Sequence, residues 1–214
     1  MTGMKQKKRA KSGKRPDKRG EILDTAADYF LAHGYEGTSI NEMARESGIS
    51  KESIYRYFRS KKRLFAAVID RELEDYQTRL RAVSNARTGS LRKQLIGVAE
   101  TLLGVVTTDR TLGLRRLIFQ QASHNREVGR HYFQTGPKQA YSHLNSLFSV
   151  HAARSGFRPA DLSRHFLALV LHFPLIQREC AIRPAFKASQ IREIAARAVD
   201  NFMRAFLRAN GRVG

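Results

Sequence analysis

The chain has 214 residues, of which 42% are apolar and 9% aromatic, enough apolar area for a packed core and too much for a globally disordered chain. Thirty-nine Lys and Arg against 19 Asp and Glu leave a formal charge of +20; such an excess speaks of an anionic partner, nucleic acid or an acidic membrane surface, and says nothing of the fold. The single cysteine, Cys180, excludes an intrachain disulfide and suits a reducing cytosol.

The apolar neighbours of Cys180 predict a buried, inert thiol. No apolar stretch follows the basic N-terminus in the way a secretory signal requires. The longest apolar run, 166–176, contains His172 and Pro174 and is too short to span a bilayer. The expectation is a cytoplasmic protein with no membrane partner.

Charge is placed unevenly. Residues 1–20 carry nine basic side chains and one acid, whereas 21–50 hold Arg45 alone against Glu21, Asp24, Asp28, Glu36, Glu42 and Glu46. Residues 51–63 turn basic again, with six Lys and Arg and only Glu52. Residues 1–18, poor in apolar side chains and rich in like charge, read as a flexible basic arm. Two roles stay open for it: a thread along phosphates or into a minor groove, or a solubilising tail.

From residue 19 the chain reads as helix throughout. Ile22, Leu23, Ala26, Ala27, Phe30 and Leu31 repeat at helical spacing, and Gly34 is placed to end that first helix. Ser39 and Glu42 form an S-x-x-E capping box before the apolar face of Ile40, Met43 and Ala44. Gly48 then stops the second helix and Ser50 caps the third. Two short helices joined by S-G-I-S are a helix-turn-helix. Ser60 caps a fourth helix, with Leu64, Phe65, Val68, Ile69, Leu73 and Tyr76 on one side, long enough to enter a second module.

The third helix decides the functional expectation. At about 100° per residue, Ile54 and Phe58 share the face that packs on Phe30 and Met43. Glu52, Ser53 and Arg56 lie opposite, flanked by Lys51 and Tyr55 on one side and Tyr57 on the other. A small, polar, basic face is what a helix entering the major groove presents. Arg56 has donors for guanine edges, Ser53 for several bases, and Glu52 an acceptor for a cytosine amine. Lys51, Tyr55, Tyr57 and Lys61 are placed for phosphates or thymine methyls. A merely solvated charged face is the plainer alternative; it explains the cap, the glycine turn and the basic face separately but not their order.

T-S-I-N-E-M-A-R-E-S-G-I-S-K-E-S-I-Y-R-Y-F-R-S-K-K-R-L-F resembles the DNA-binding domain of the TetR family of transcriptional regulators, over about residues 19–70. The resemblance implies an all-α protein: a three-helix helix-turn-helix domain, 19–66, and a larger helical ligand-binding and dimerisation domain, 67–214. It further implies a homodimer on a palindromic operator in double-stranded DNA, released by a small-molecule inducer, with no cofactor. On its motif positions Ser39, Lys51, Ser53, Tyr55, Tyr57 and Lys61 fall where DNA contacts are made. Glu52 departs from the small residue common there, and stabilisation of the helix N-terminus is its other role.

Beyond the break at A-R-T-G-S, helices are expected at about 90–107, 110–124, 127–134, 137–154, 161–181 and 188–209, with a kink at Pro174. The segments R-R-L-I-F-Q-Q-A-S-H-N-R-E-V-G-R-H-Y-F-Q-T-G-P and G-F-R-P-A-D-L are similar to C-terminal domains of multidrug-regulator-like members. Phe119, Gln120, Tyr132, Phe133, Tyr141, Phe148 and Phe173 are candidates to line a ligand pocket, or to be core. Ile191, Ala195, Ala198, Phe202 and Phe206 form a stripe on the last helix. With Leu169 on the helix before, it fits either a four-helix bundle across a two-fold axis or packing within one chain.

Six of the seven histidines lie between 124 and 172, but without metal-ligand spacing, so no metal is expected. Nor is an enzyme: G-x-S-x-G, H-E-x-x-H, P-loop and dinucleotide fingerprints are all missing from the sequence.

Overall fold

Helix α1 (Lys18–Gly37) starts where the Asp17 carboxylate accepts a hydrogen bond from the Gly20 amide at 3.0 Å. Gly34, at φ +73°, breaks its helical path and leaves one further turn to Gly37. In this computed structural model, which describes residues 17–85 and 89–207, every described element is helical and no strand occurs among them. The expected 1–18 arm therefore falls mostly outside the described residues, and its last position, Lys18, is already helical.

Local chemistry sets the next three helices. Helix α2 (Ile40–Ser47) is capped by Ser39, whose hydroxyl accepts from the Glu42 amide at 3.4 Å. It stops at Gly48, left-handed at φ +69°, where any other residue would be strained. Ser50 caps α3 (Lys51–Phe58), accepting from Ser53 N–H at 3.3 Å, and Ser60 caps α4 (Lys61–Asn85), accepting from Arg63 N–H at 3.2 Å. Ile22, Leu23, Phe30, Met43, Ile54, Phe58, Leu64, Phe65, Val68 and Ile69 are all buried in one core.

Past the break follow α5 (Leu91–Val106), α6 (Asp109–His124), α7 (Arg126–Thr135), α8 (Pro137–Ser155), α9 (Pro159–Glu179) and α10 (Ala188–Phe202), the last ending in a π-helical turn, Met203–Leu207. A second core gathers Tyr76 and Leu80 of α4 with α5, α8, α9 and α10. Its centre is aromatic: the Phe202 ring lies 5.3 Å from those of Phe148, Phe166 and Phe206.

Two links tie the cores together. Leu114 and Ile118 of α6 belong to the N-terminal core. The approach of α6 to α1 is so close that a Cβ on Gly113 would stand 2.6 Å from Leu31 Cδ2, a contact only glycine admits without movement of Leu31. Arg110 adds a polar link, donating through Nε to Glu72 of α4 and through Nη1 to Asp28 of α1, each at 2.6 Å. At the far end, buried Arg178 stitches α9 to the α5–α6 junction, donating to the carbonyls of Thr107 at 3.0 Å and Arg183 at 2.6 Å and to the Asp109 carboxylate.

Two expectations change. Cys180 is exposed, because it caps the C-terminal end of α9 rather than sitting inside it. Helix α9 keeps Pro174 inside one element, as the expected 161–181 helix had it. Most of the α10 stripe faces its own chain: Ala195, Ala198 and Phe202 are buried against α5, α8 and α9, which leaves them nothing to offer a second subunit directly.

One buried group makes stability pH-dependent. His143 Nε2 is buried with no hydrogen-bond partner, and burial holds the imidazole below its ordinary value. Protonation is then harder in the folded than in the unfolded chain, so the unfolded state takes up the proton first. The contribution is complete above about pH 6.5, the unfolded value, and is lost as pH falls below it. Melting the wild type and His143→Phe between pH 7.5 and 5 is expected to show the wild type losing more on acidification. Parallel curves would count against the assignment.

Candidate nucleic-acid interface and ligand cavity

Helix α3 packs on α2 and α4 through Ile54 and Phe58, with Ile49 filling the turn before it. Its other side is uncovered: Lys51, Glu52, Tyr55, Arg56 and Tyr57 are exposed and Ser53 half-buried. The face is partly pre-arranged. Ser53 Oγ accepts from Ser50 Oγ at 2.8 Å and from Arg56 Nη2 at 3.5 Å. The Arg56 guanidinium lies 5.5 Å from the Tyr57 ring and the Lys51 ammonium 5.8 Å from the Tyr55 ring; such cation–π contacts limit the rotamers of both cations.

Arg59 ends α3 in the left-handed region at φ +60°, which costs a non-glycine residue about 1–2 kcal/mol. That turn lets α4 begin at once and brings Ser39, Asn41, Tyr55, Arg59, Ser60 and Lys61 around one depression beside the α3 face. Asn41 and Arg59 were not singled out by the sequence. Arg59 had a signal in the basic run 56–63; Asn41 had none, since its place depends on how α2 meets α3.

Lys61 departs from its expected part. Its ammonium donates to the carbonyls of Glu36 at 3.2 Å and Thr38 at 3.0 Å and lies 4.6 Å from the Tyr35 ring. It ties the α1–α2 turn to the start of α4, which leaves at most one of its three protons for a phosphate. Ser39 likewise spends one lone pair on its cap. Glu52 lies in the first turn of α3, where its charge favours the helix dipole.

A cavity of about 350 Å³ lies between α4, α5, α6, α8 and α9, with Tyr132 of α7 closing one side. Its wall is mainly Leu, Ile and Val. Glu72, Tyr76, Thr111, Arg115, Tyr132, Tyr141 and His172 are the polar exceptions. Ile69, Leu114 and Ile118 line it and also belong to the N-terminal core, so the cavity shares its wall with the packing that holds α1. Among the described residues no group of three or more potential ligands could hold a metal ion, and no helix is long and apolar enough to cross a membrane.

Residues 22–68 match the bacterial regulatory proteins of the TetR family, and residues 93–208 match the AefR-like transcriptional repressor C-terminal domain. The chain belongs to the TetR family of transcriptional regulators. It is similar to the HTH-type transcriptional activator FasR of Mycolicibacterium smegmatis, 30% identical over 50% of this chain and 47% of FasR. It also resembles the HTH-type transcriptional repressor NemR of Escherichia coli, 28% identical over 41% of this chain and 44% of NemR. Matches to the curated relatives thus span about half of their length.

Among solved structures, a TetR-family regulator from Mesorhizobium loti superimposes with TM-score 0.77 at 23% identity, over 92% of this chain and all of the other. The Flavonoid-responsive Regulator FrrA does so with TM-score 0.71 at 26% identity, over 90% and 98%. FadR of Bacillus subtilis, in complex with stearoyl-CoA, gives 0.69 at 12% identity, over 86% and 97%. The TetR family is one of transcriptional regulators, not enzymes.

Within this TetR-family chain the expected pocket residues divide. Tyr132 and Tyr141 line the cavity. Phe148 is fully buried in the aromatic core instead. Phe119, Gln120, Phe133 and Phe173 are exposed and line no part of it. Helical spacing placed these rings on faces without saying which face meets the void. The aliphatic wall was missed because it looks like any other core.

Of the expected interface residues, Leu169 is 44% exposed and stands in line with Phe173 and Ile176, 67% and 46% exposed, on α9. Ile191 and Phe206 are half-buried, both packed against the C-terminal core.

Proposed function

We propose that this TetR-family regulator is a homodimeric repressor that holds a palindromic operator with two copies of α3 and leaves it when a small molecule occupies the cavity. The observation that carries the reading is the uncovered α3 face, basic and already oriented, on a domain whose core extends into the cavity wall. Arg56, Ser53 and Glu52 read base edges; Lys51, Tyr55, Tyr57, Lys61 and Ser39 set the register on the backbone. FrrA, a structural relative named for its response to flavonoids, supports a small organic effector.

Release is a population shift. Ligand in the cavity displaces Ile69, Leu114 and Ile118, and with them the seat of α1. Arg110, bound to both Glu72 in the wall and Asp28 on α1, carries the same motion through charge. The distance between paired α3 helices must match about one turn of DNA, so a small rotation of each domain abolishes the fit. The test is selection of bound sites from random DNA, followed by footprinting: a protected palindrome supports the reading, and equal protection of every sequence defeats it. A reporter gene behind the selected site, with expression falling when the regulator is present, checks the sign of control.

The second subunit docks on α9. Leu169, Phe173 and Ile176 lie one helical turn or less apart along one exposed face, and a row of large apolar side chains in water is unusual without a partner. Phe173→Asp places a charge where the partner would cover it. The expected result by analytical ultracentrifugation is a monomer that melts near the wild-type temperature and no longer binds the operator. A Phe173→Asp protein that remains dimeric would move the interface elsewhere.

A further inference from the structure

The apolar cavity has a polar end whose donors are unspent. Tyr76 is 4% exposed and lines the cavity, yet its hydroxyl makes no hydrogen bond to any described residue. The hydroxyls of Tyr132 and Tyr141, also in the wall, make none either. Arg115 approaches Glu179 at 3.1 Å through Nη2, but its Nε is buried with no partner. A buried polar group left without a partner, as Arg115 Nε is, costs about 1–3 kcal/mol, and together with three phenol hydroxyls in the same wall that no described protein group engages it points to an absent acceptor.

The charges around the void exclude the opposite chemistry. Glu72, the one carboxylate among the lining residues, already accepts from Arg110 Nε at 2.6 Å. Arg115, the one guanidinium in the wall, shares the carboxylate of Glu179 with the exposed Arg116, so its charge is only partly neutralised. Burial raises the phenols of both Tyr76 and Tyr132, so both remain protonated donors at neutral pH. A cationic ligand would meet the Arg115 guanidinium in the wall and find the one lining carboxylate already held by Arg110. A polyphosphate conjugate would need more room and more cations than this aliphatic pocket, near the small end of the usual range of about 300–1,000 Å³, provides.

We infer that the effector is a compact apolar molecule bearing a carbonyl, carboxylate or phenol oxygen, which accepts hydrogen bonds from Tyr76 and Tyr132 with Arg115 behind them. The assignment rests on the reading of the cavity as the effector site and adds the ligand's chemical class and orientation: acceptor toward α4, α6 and α7, hydrocarbon toward α5 and α9. It makes Tyr76 and Tyr132 the specificity-determining residues. Tyr76 lies one helical turn beyond Glu72 on α4, so the same end of the ligand that is recognised adjoins the Arg110 link to α1.

The test compares matched probes on the full-length protein by calorimetric titration: 2-acetylnaphthalene and 2-naphthoate, which offer an acceptor; 2-methylnaphthalene, which does not; and 2-naphthylmethylammonium, a cation. The acceptor probes are expected to bind at least about tenfold more tightly than the hydrocarbon, and the cation most weakly. In Tyr76→Phe/Tyr132→Phe, which keeps both rings, the preference is expected to shrink below about threefold while affinity for 2-methylnaphthalene holds; a thermal melt confirms that the variant is folded. Equal affinity of wild type for ketone and hydrocarbon would overturn the inference alone, as would an unchanged preference in the double variant or preferred binding of the cation. Failure of every probe to bind would overturn the inference together with the effector-site reading.

Discussion

Phe202→Ala is expected to lower the unfolding free energy by about 3–5 kcal/mol. Phe202 is fully buried, and its ring meets three others at 5.3 Å, from Phe148 of α8, Phe166 of α9 and Phe206 in the π-helical turn. Removing it therefore opens a cavity where α8, α9 and α10 converge, and forfeits the aromatic contacts, each worth about 0.5–1.5 kcal/mol beyond burial. For a chain of this size the melting temperature should fall by roughly 6–20 °C. Phe206→Ala serves as the comparison: that ring is half-buried and stacks on His165 at 4.6 Å, and its loss should cost clearly less. Equal shifts for the two variants would show that Phe202 is not the centre of the core.

Arg56→Ala is expected to weaken operator binding by about 2–6 kcal/mol per dimer, since each of two copies gives up a base contact worth about 1–3 kcal/mol. Arg56 stands on the uncovered side of α3, with Ser53 and the Tyr57 ring limiting where it can point. The loss should be confined to sites carrying the base it reads, so site selection with the variant should show one relaxed position in each half-site. Lys51→Ala is the contrasting case: a lost phosphate contact weakens all sequences alike and reduces the salt slope by about 1 per subunit. A uniform loss in Arg56→Ala, with a changed salt slope and an unchanged sequence preference, would reassign Arg56 to the backbone.

The first three helices were legible because their signals are local. Ser39, Gly48 and Ser50 act within three or four residues of themselves, and each does in the structure what its residue type does in any helix end. The apolar spacing of Ile54 and Phe58 then fixed which side of α3 remained for solvent. The C-terminal helices were found by the same means, but their neighbours were not. A stripe such as Ala195, Ala198 and Phe202 announces that something covers it, and covering by α5, α8 and α9 leaves the same trace in the sequence as covering by a second subunit.

The same limit explains the cavity. Phe148 and Phe173 looked alike as aromatic residues of helices, and one lies in the core while the other is 67% exposed. Tyr76, read as an ordinary apolar-face residue, turned out to hold a free hydroxyl toward the void. Lys61 is the most instructive case: its motif position pointed outward, yet its ammonium binds the carbonyls of residues 23 and 25 positions earlier in the chain.

What the sequence determined by itself was the set of helices, most of their ends and the uncovered face of α3, because caps, glycines and periodicity act over a few residues. What only the tertiary structure decided was which faces meet, where the void opens and which charges are paired. Arg110 reaches Asp28 across 82 positions, and Gly113 admits Leu31, only once α6 has been laid against α1. Contacts of that kind depend on the path of the backbone through space, and no local pattern of residue types encodes that path.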